Sequence, residues 1–177
     1  MIIKGFGELV TAEGIIYSGK FEQDVKWGYG LCKWPDNRND SEKKQEKKQV
    51  ILWSTAVNHV EEYHKTDEDR VREKLQKSRE GKGEVKYSTV YSGDWLDNKF
   101  HGGGQMLYSN NNIYDGDWKH GMRHGEGTLR FHDGSKYRGS WFADLQHGIG
   151  LVLDRHGHQT RCLFQHGVCL QTLDNKS

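Results

Sequence analysis

Ten histidines are spread along a chain of 177 residues, and histidine is a common metal ligand and general base. Five of them keep a fixed relation to glycine: His101, His124 and His147 directly precede glycine pairs, and His120 and His166 directly precede single glycines. Equivalent residues of successive two-stranded units would be two strands, about 9–10 Å, apart. Zinc ligands lie about 2.0–2.1 Å from the ion, so such residues cannot easily share one metal. We interpret these histidines as structural and predict no metal site.

Paired carboxylates can perform acid–base catalysis, and Asp94, Asp115 and Asp117 are the nearest candidates. They alternate with aromatic and glycine residues, which indicates the solvated face of a strand. The glycine pairs lack the third glycine of a dinucleotide-binding loop, and no serine hydrolase, zinc protease, Walker or kinase signature is present. The sequence therefore predicts no catalytic residue and no cofactor, and we expect that the protein is not an enzyme.

The elements that must position these side chains are copies of one pattern. Residues 91–150 contain three copies of Tyr-x-Gly-x-Trp, each followed by a glycine pair. The tyrosines Tyr91, Tyr114 and Tyr137 are 23 residues apart, and each glycine pair begins 11 residues after its tyrosine. A constant period of this length is typical of repeat proteins, in which each unit buries its surface against its neighbours.

Side chains of a strand alternate between its two faces, so each copy separates its aromatic residues from its polar ones. Tyr114, Gly116 and Trp118 share one face, and Asp115 and Asp117 share the other. The glycine pair falls on the return strand of a β-hairpin, where an absent side chain leaves room for an aromatic ring. We predict an all-β fold with a helical insertion: a single-layer, twisted antiparallel sheet of tandem 23-residue hairpins.

This pattern resembles the MORN repeat family, whose motif is approximately Tyr-x-Gly-x-Trp, a loop glycine, then His-Gly-x-Gly and an aliphatic residue. The matching residues of one copy are Tyr114, Gly116, Trp118, Gly121, His124, Gly125, Gly127 and Leu129. The resemblance implies a scaffold in cytoskeletal, ciliary or flagellar assemblies or at membrane junctions. It also implies several known uses of such arrays, namely dimer formation, binding of a motor-protein helix, association with membranes or phosphoinositides, and regulation of an attached enzyme.

We expect one MORN repeat domain over residues 1–177. Its predicted units are a half-repeat at 1–16, a repeat at 17–37, an elaborated repeat at 38–90, repeats at 91–113, 114–136 and 137–159, and a degenerate capping repeat at 160–177. The elaborated repeat would begin with a strand at 49–53 and contain a helical insert at about 55–80. The half-repeat indicates either a fragment or an edge strand that meets a partner.

Composition narrows the class of protein. Only 33% of the residues are hydrophobic, while 22 are glycine and 6 are tryptophan, which favours a thin aromatic layer over a thick aliphatic core. A formal net charge of +1 gives no general attraction to nucleic acid or anionic membranes. Cys32, Cys162 and Cys169 form no disulfide or zinc framework, so we expect a cytoplasmic protein. The resemblance adds the cilium, flagellum or cytoskeleton as expected locations.

Two candidate binding surfaces follow from the faces of the sheet. The aromatic face could hold a helix or an extended peptide, although its rings could instead pack on neighbouring glycines. Its residues are Tyr91, Trp95, Tyr114, Trp118, Tyr137 and Trp141. A secondary apolar patch on the opposite face consists of Phe142, Ile149, Leu151 and Leu153. The C-terminal tail, the inserted helix or a partner should cover this patch.

The leading hypothesis is a non-catalytic protein-interaction scaffold that binds a protein partner and can form a homodimer. One alternative is an adaptor associated with membrane lipids or phosphoinositides, which the balanced charge weakens, because stable attachment needs a basic patch or a lipid anchor. The other alternative is a regulatory MORN segment of a larger enzyme. We expect no nucleic-acid partner.

Overall fold

The computed structural model describes residues 3–36 and 87–173. In these residues eleven strands form one open antiparallel sheet, and their order across the sheet is their order along the chain. The strands are β1 (Gly5–Val10), β2 (Ile16–Glu22), β3 (Val25–Pro35), β4 (Tyr87–Leu96), β5 (Lys99–Leu107), β6 (Ile113–Lys119), β7 (Met122–Arg130), β8 (Lys136–Phe142), β9 (Leu145–Leu153), β10 (Gln159–Gln165) and β11 (Val168–Thr172). The predicted all-β, antiparallel sheet of tandem hairpins is confirmed. The predicted helical insert at about 55–80 lies outside the described residues.

Each hairpin closes with a two-residue turn in which both residues have positive φ, as in a type I′ turn. The turn pairs are Gln23-Asp24, Asp97-Asn98, His120-Gly121, Ala143-Asp144 and His166-Gly167. Where the second residue is Asp or Asn, its side-chain oxygen accepts a backbone hydrogen bond from the preceding repeat in the sheet. Asn98 accepts from Lys26 at 2.9 Å, and Asp144 accepts from Arg123 at 2.9 Å. A turn with Asp or Asn in second place therefore closes its own hairpin and also forms a hydrogen bond with the preceding repeat.

The sheet passes directly from β3 to β4. Gly28 lies opposite Trp95, just as Gly102 lies opposite Trp118 where two consecutive repeats meet. In the part of the chain that the structure describes, no strand lies between β3 and β4. Residues 38–86 of the elaborated repeat predicted at 38–90 lie outside the described residues, so this repeat stays a prediction.

Only residues 87–90 of that predicted repeat lie within the described part of the chain. Tyr87, which the sequence analysis placed in the elaborated repeat, begins β4 and pairs with Pro35. The predicted first strand at 49–53 lies outside the described residues. The half-repeat at 1–16 contributes β1, which pairs with β2 and forms one edge of the sheet. The degenerate repeat at 160–177 contributes β10 and β11, and β11 forms the other edge.

The return strands carry glycine because tyrosine rings occupy the space above them. A Cβ atom added at Gly104 would lie 2.7 Å from Cζ of Tyr91 and 2.8 Å from its Cε2, closer than any ordinary contact. The same arrangement recurs at Gly127 under Tyr114. The tyrosines are almost completely buried, with 0–1% of their surface exposed. The core is thus a layer of aromatic rings on bare backbone.

Replacing Gly104 with alanine tests this packing. We expect Gly104→Ala to lower the free energy of unfolding by about 1–3 kcal/mol, because the new methyl group overlaps the Tyr91 ring. The matched control is Gly103→Ala, because nothing lies within 4 Å of a Cβ at this neighbouring, exposed glycine. The control should be neutral or stabilising by up to about 1 kcal/mol. Urea denaturation of both variants measures the difference, and equal stabilities would contradict the packing.

Candidate interaction surfaces

Aromatic rings of successive repeats contact each other edge to face and form a continuous row, which we call the aromatic ladder. Tyr91 contacts Trp95 of its own hairpin at a centroid distance of 5.3 Å and Trp118 of the next hairpin at 5.5 Å. The same two contacts, at 5.1–5.3 Å, recur at Tyr17, Tyr114 and Tyr137. Edge-to-face contacts are a preferred geometry of aromatic pairs. Phe21 and Phe164 take the tryptophan place at the two ends.

The polar atoms of the ladder are bonded to backbone carbonyl groups. The Tyr91 hydroxyl donates to the carbonyl oxygen of Asp94 at 2.8 Å, and the other three ladder tyrosines make the equivalent bond at 2.9 Å. The indole N–H of Trp118 donates to the carbonyl oxygen of Gly104 in the preceding repeat at 3.0 Å. Trp95 and Trp141 do the same at 3.1 Å. Each tryptophan therefore ties two repeats together by a ring contact and a hydrogen bond.

The six residues of the predicted aromatic surface lie on one face of the sheet, but their side chains are buried. Tyr91, Tyr114 and Tyr137 are 0–1% exposed, and the three tryptophans are 4–5% exposed. Their rings pack on glycine and on each other, which is the alternative that the sequence left open. A partner on this face would therefore contact the side chains that cover the ladder.

One position in each hairpin covers the ladder, and its side chain differs between repeats. The covering residues are Lys26, Phe100, Arg123 and Gln146, each directly opposite the tryptophan or phenylalanine of its own hairpin. Lys26 places its ammonium group 4.8 Å from both the Tyr17 and Trp95 rings. Phe100 stacks on Tyr91 at 4.1 Å. These residues therefore set the charge of the aromatic face.

Arg123 is the most firmly held of the covering residues. Its guanidinium carbon lies 4.4 Å from the Trp141 ring, a distance typical of cation–π contacts. Its Nε donates to the Asp144 carboxylate at 3.1 Å, and its second guanidinium nitrogen donates to the Asp144 carbonyl at 2.8 Å. With only 19% of its side chain exposed, Arg123 is fixed flat over the ladder.

A second row of aromatic residues lies beside the ladder on the same face. Trp34, Tyr108 and Phe131 are partly buried and pack against the ladder, as Phe100 does. Trp34 contacts Phe100 at a centroid distance of 6.2 Å. We call these four residues the rim aromatics. The sequence analysis named none of them as site residues, although strand alternation from the glycine pairs places three of them on this face.

The candidate catalytic groups have structural roles. The Asp94 carboxylate accepts a hydrogen bond from the Gly103 backbone N–H at 3.1 Å, and Asp117 accepts one from Glu126 at 3.0 Å. Both bonds stabilise bulges, in which two residues of β5 and three residues of β7 are left without a direct partner in their own hairpin. Asp115 accepts a hydrogen bond from the Gln105 side chain at 3.2 Å.

The histidines approach each other in pairs from neighbouring hairpins. His101 and His120 have ring centroids 5.5 Å apart, and His147 and His166 are 5.7 Å apart. Across residues 3–36 and 87–173, no group of three or more histidine, cysteine or acidic side chains is placed to hold a metal ion. None of these described residues belongs to a helix long and apolar enough to cross a membrane.

The predicted apolar patch lies on the opposite face of the sheet, which we call the back face. Phe142, Ile149 and Leu151 are 51%, 47% and 36% exposed, whereas Leu153 is partly buried. The structure adds two residues to this patch. Leu145 lies opposite Phe142, and Leu163 lies opposite Ile149. Unlike the aromatic face, this patch presents large apolar side chains to solvent.

Burial of the ladder tyrosines has a consequence for pH. Removal from water raises the pKa of Tyr137 to about 12 and raises the pKa of Tyr17, Tyr91 and Tyr114 further, because the charged phenolate is disfavoured there. An unfolded tyrosine titrates near pH 10. A group whose pKa is higher in the folded state than in the unfolded state stabilises the folded protein. For these tyrosines the full stabilisation is present below about pH 10, and it is lost as the pH rises through the folded-state pKa.

We therefore expect the free energy of unfolding to decline as the pH rises above about 10. Ionisation of the ladder tyrosines should coincide with loss of the folded near-ultraviolet circular dichroism signal. An absorbance titration of tyrosinate, followed together with circular dichroism, measures both events. Titration of every tyrosine near pH 10 in a protein that stays folded would contradict the burial of the ladder.

Comparison with known proteins agrees with this geometry. The family model for the MORN repeat matches residues 17–37, 91–113, 114–136 and 137–151. Each matched segment begins at a ladder tyrosine, and no curated protein matches the chain. MORN repeats are in general motifs for interaction with proteins or membranes. The period, the hairpins, the aromatic ladder and these matches together show that the chain is a member of the MORN repeat family.

Proposed function

We propose that this protein is a non-catalytic interaction scaffold whose aromatic face binds a helix or an extended peptide of a partner protein. The observation that carries the proposal is the row of rim aromatics, which packs against the buried ladder and crosses several repeats. Aromatic side chains are frequent anchors of protein interfaces, because they offer a large apolar area with few rotatable bonds.

The aromatic face is also well prepared for binding. Phe100 is stacked on Tyr91, and Arg123 is held by Asp144, so these side chains lose little freedom when a partner arrives. Interfaces formed by ordered residues bind more tightly, because less entropy is lost on association. The ammonium of Lys26 places positive charge on this face, which favours a partner that carries carboxylates or backbone carbonyls.

The cellular setting of the scaffold rests on the family. We place the protein in the cytoplasm, in a cytoskeletal, ciliary or flagellar assembly, because MORN arrays are known from such assemblies. A homodimer is a second proposed mode of association. The edge strands β1 and β11 support it, since an edge strand offers unpaired backbone groups to another chain.

The proposal predicts that the rim aromatics decide partner capture. We expect Tyr108→Ala and Phe131→Ala to weaken binding at least about tenfold, because truncation of an interface anchor commonly costs more than 1 kcal/mol. Affinity capture from an extract of the source cells, followed by cross-linking and mass spectrometry, identifies the partner and its site. Binding of each variant to that purified partner then gives the dissociation constants.

The matched control is Met122→Ala, which changes an exposed apolar residue on the back face of the same hairpin as Phe131. Thermal unfolding should first show that all three variants are folded. The control should bind like the wild type, and cross-links should fall on the aromatic face. If folded Tyr108→Ala and Phe131→Ala proteins keep every partner with unchanged affinity, the aromatic face is not the binding surface.

A further inference from the structure

The back face of β8, β9 and β10 presents a group of apolar side chains to solvent. Its members are Phe142, Leu145, Ile149, Leu151 and Leu163, which are 36–51% exposed. They lie on three adjacent strands: Phe142 is directly opposite Leu145, and Ile149 is directly opposite Leu163 and two residues from Leu151, so they form one patch. Contiguous exposed apolar patches mark interaction sites in soluble proteins.

A cluster of positive charge adjoins this patch. Arg130 lies directly opposite Lys136, and Arg138 follows two residues later on the same face of β8. All three are exposed. Like charges in directly opposite positions of a sheet destabilise it. A binding partner with negative charge would remove this repulsion.

The residues directly opposite these cations in the sheet carry no negative charge. Across the strands, Arg130 also faces Ile113, Lys136 faces Leu153, and Arg138 faces Thr128 and Leu151. None of these four residues carries charge. The back face therefore combines an apolar area with a basic area whose direct cross-strand neighbours offer no counter-ion.

Along β8 the two areas lie towards opposite ends, although Leu151 and Leu153 of β9 lie directly opposite Arg138 and Lys136. Phe142 and Leu145 lie at the hairpin turn, whereas Lys136 begins β8 at the other end. Six residues separate Lys136 from Phe142, which corresponds to about 20 Å of strand. A helix of about 13 residues spans the same distance. A partner segment of this length would meet apolar groups at one end and cations at the other.

The width of the surface selects a narrow partner. The adjoining strands β6 and β7 carry Asp115, Asp117 and Glu126 on the same back face. A flat anionic membrane laid on the basic area would also press against these carboxylates. The apolar area covers three strands, about 14 Å, the basic area covers two strands, about 10 Å, and one helix with its side chains is about 10–12 Å wide. The surface therefore fits a single helix better than a bilayer.

We propose that the back face of β7–β10 binds an acidic amphipathic helix of a partner protein. Apolar side chains at one end of the helix pack on Phe142, Leu145 and Ile149. Carboxylates at the other end pair with Arg130, Lys136 and Arg138, where arginine can bind a carboxylate through two parallel hydrogen bonds. This site lies on the face opposite the rim aromatics, so it does not depend on the function proposed for them.

A displayed library of 16-residue amphipathic helices, selected on the full chain, tests the proposal. We expect the selected peptides to be enriched in glutamate or aspartate at one end and in leucine or similar residues at the other. Their affinity should fall with added salt, because the charged part of the contact is exposed to screening. Selection of peptides without acidic residues would overturn the proposal.

Charge reversal then locates the site. Lys136→Glu and Arg138→Glu should each weaken the selected peptides at least about tenfold, since each replaces an attraction with a repulsion. Lys136→Glu also places a carboxylate opposite Arg130, so this variant should fold at least as stably as the wild type. The matched control is Lys119→Glu, an exposed lysine on the back face of β6, which should leave the peptide affinity unchanged.

Two further measurements distinguish a partner helix from the other possible occupants of this surface, an anionic membrane and a second copy of the chain. Vesicles that contain phosphatidylserine should not bind the chain, and sedimentation should show no self-association that Lys136→Glu abolishes. Vesicle binding that depends on Lys136 and is not displaced by the peptides would assign the surface to an anionic membrane and overturn the proposal. Equal peptide affinity for the wild type and both charge-reversal variants would also overturn the proposal.

Discussion

A tyrosine ring that lies on bare glycine backbone is the contact on which this structure depends. The ring fills the space that a side chain at the glycine would take, as Tyr91 does above Gly104. Because the same tyrosine also contacts the tryptophan of the next repeat, the packing of one hairpin is completed by its neighbour. The single sheet of the described residues can therefore exclude water from a core, but only as an array.

The two faces of the sheet follow from this arrangement and differ in character. On the aromatic face the ladder uses its largest side chains to join repeats, and the covering residues and rim aromatics form the outer surface. Strand alternation leaves the back face free of this structural role. Its sequence can therefore vary from acidic in the middle repeats to apolar and basic in β8–β10 without loss of the core. One repeat motif thus supports two chemically different surfaces on one chain.

The repeat period, the hairpins and the face of each aromatic residue could be predicted from the sequence, because they depend on local spacing and alternation. The burial of these residues could not be predicted. Spacing shows that Trp118 shares a face with Tyr114, but it does not show that another repeat covers Trp118. The roles of Lys26 and Arg123 also depend on side-chain conformation across strands. The direct pairing of β3 with β4 was not predicted, because the length of the chain between two strands does not determine whether they are neighbours in a sheet.

A double-mutant cycle between Tyr91 and Trp118 tests the central claim most directly. The two rings belong to different repeats, so any coupling between Tyr91→Leu and Trp118→Leu measures the contact that joins them. The ladder predicts a coupling free energy of about 0.5–1.5 kcal/mol in urea denaturation. The pair Tyr91 and Trp141, two repeats apart, should be additive within about 0.5 kcal/mol. Additivity of both pairs would contradict a core that is shared between repeats.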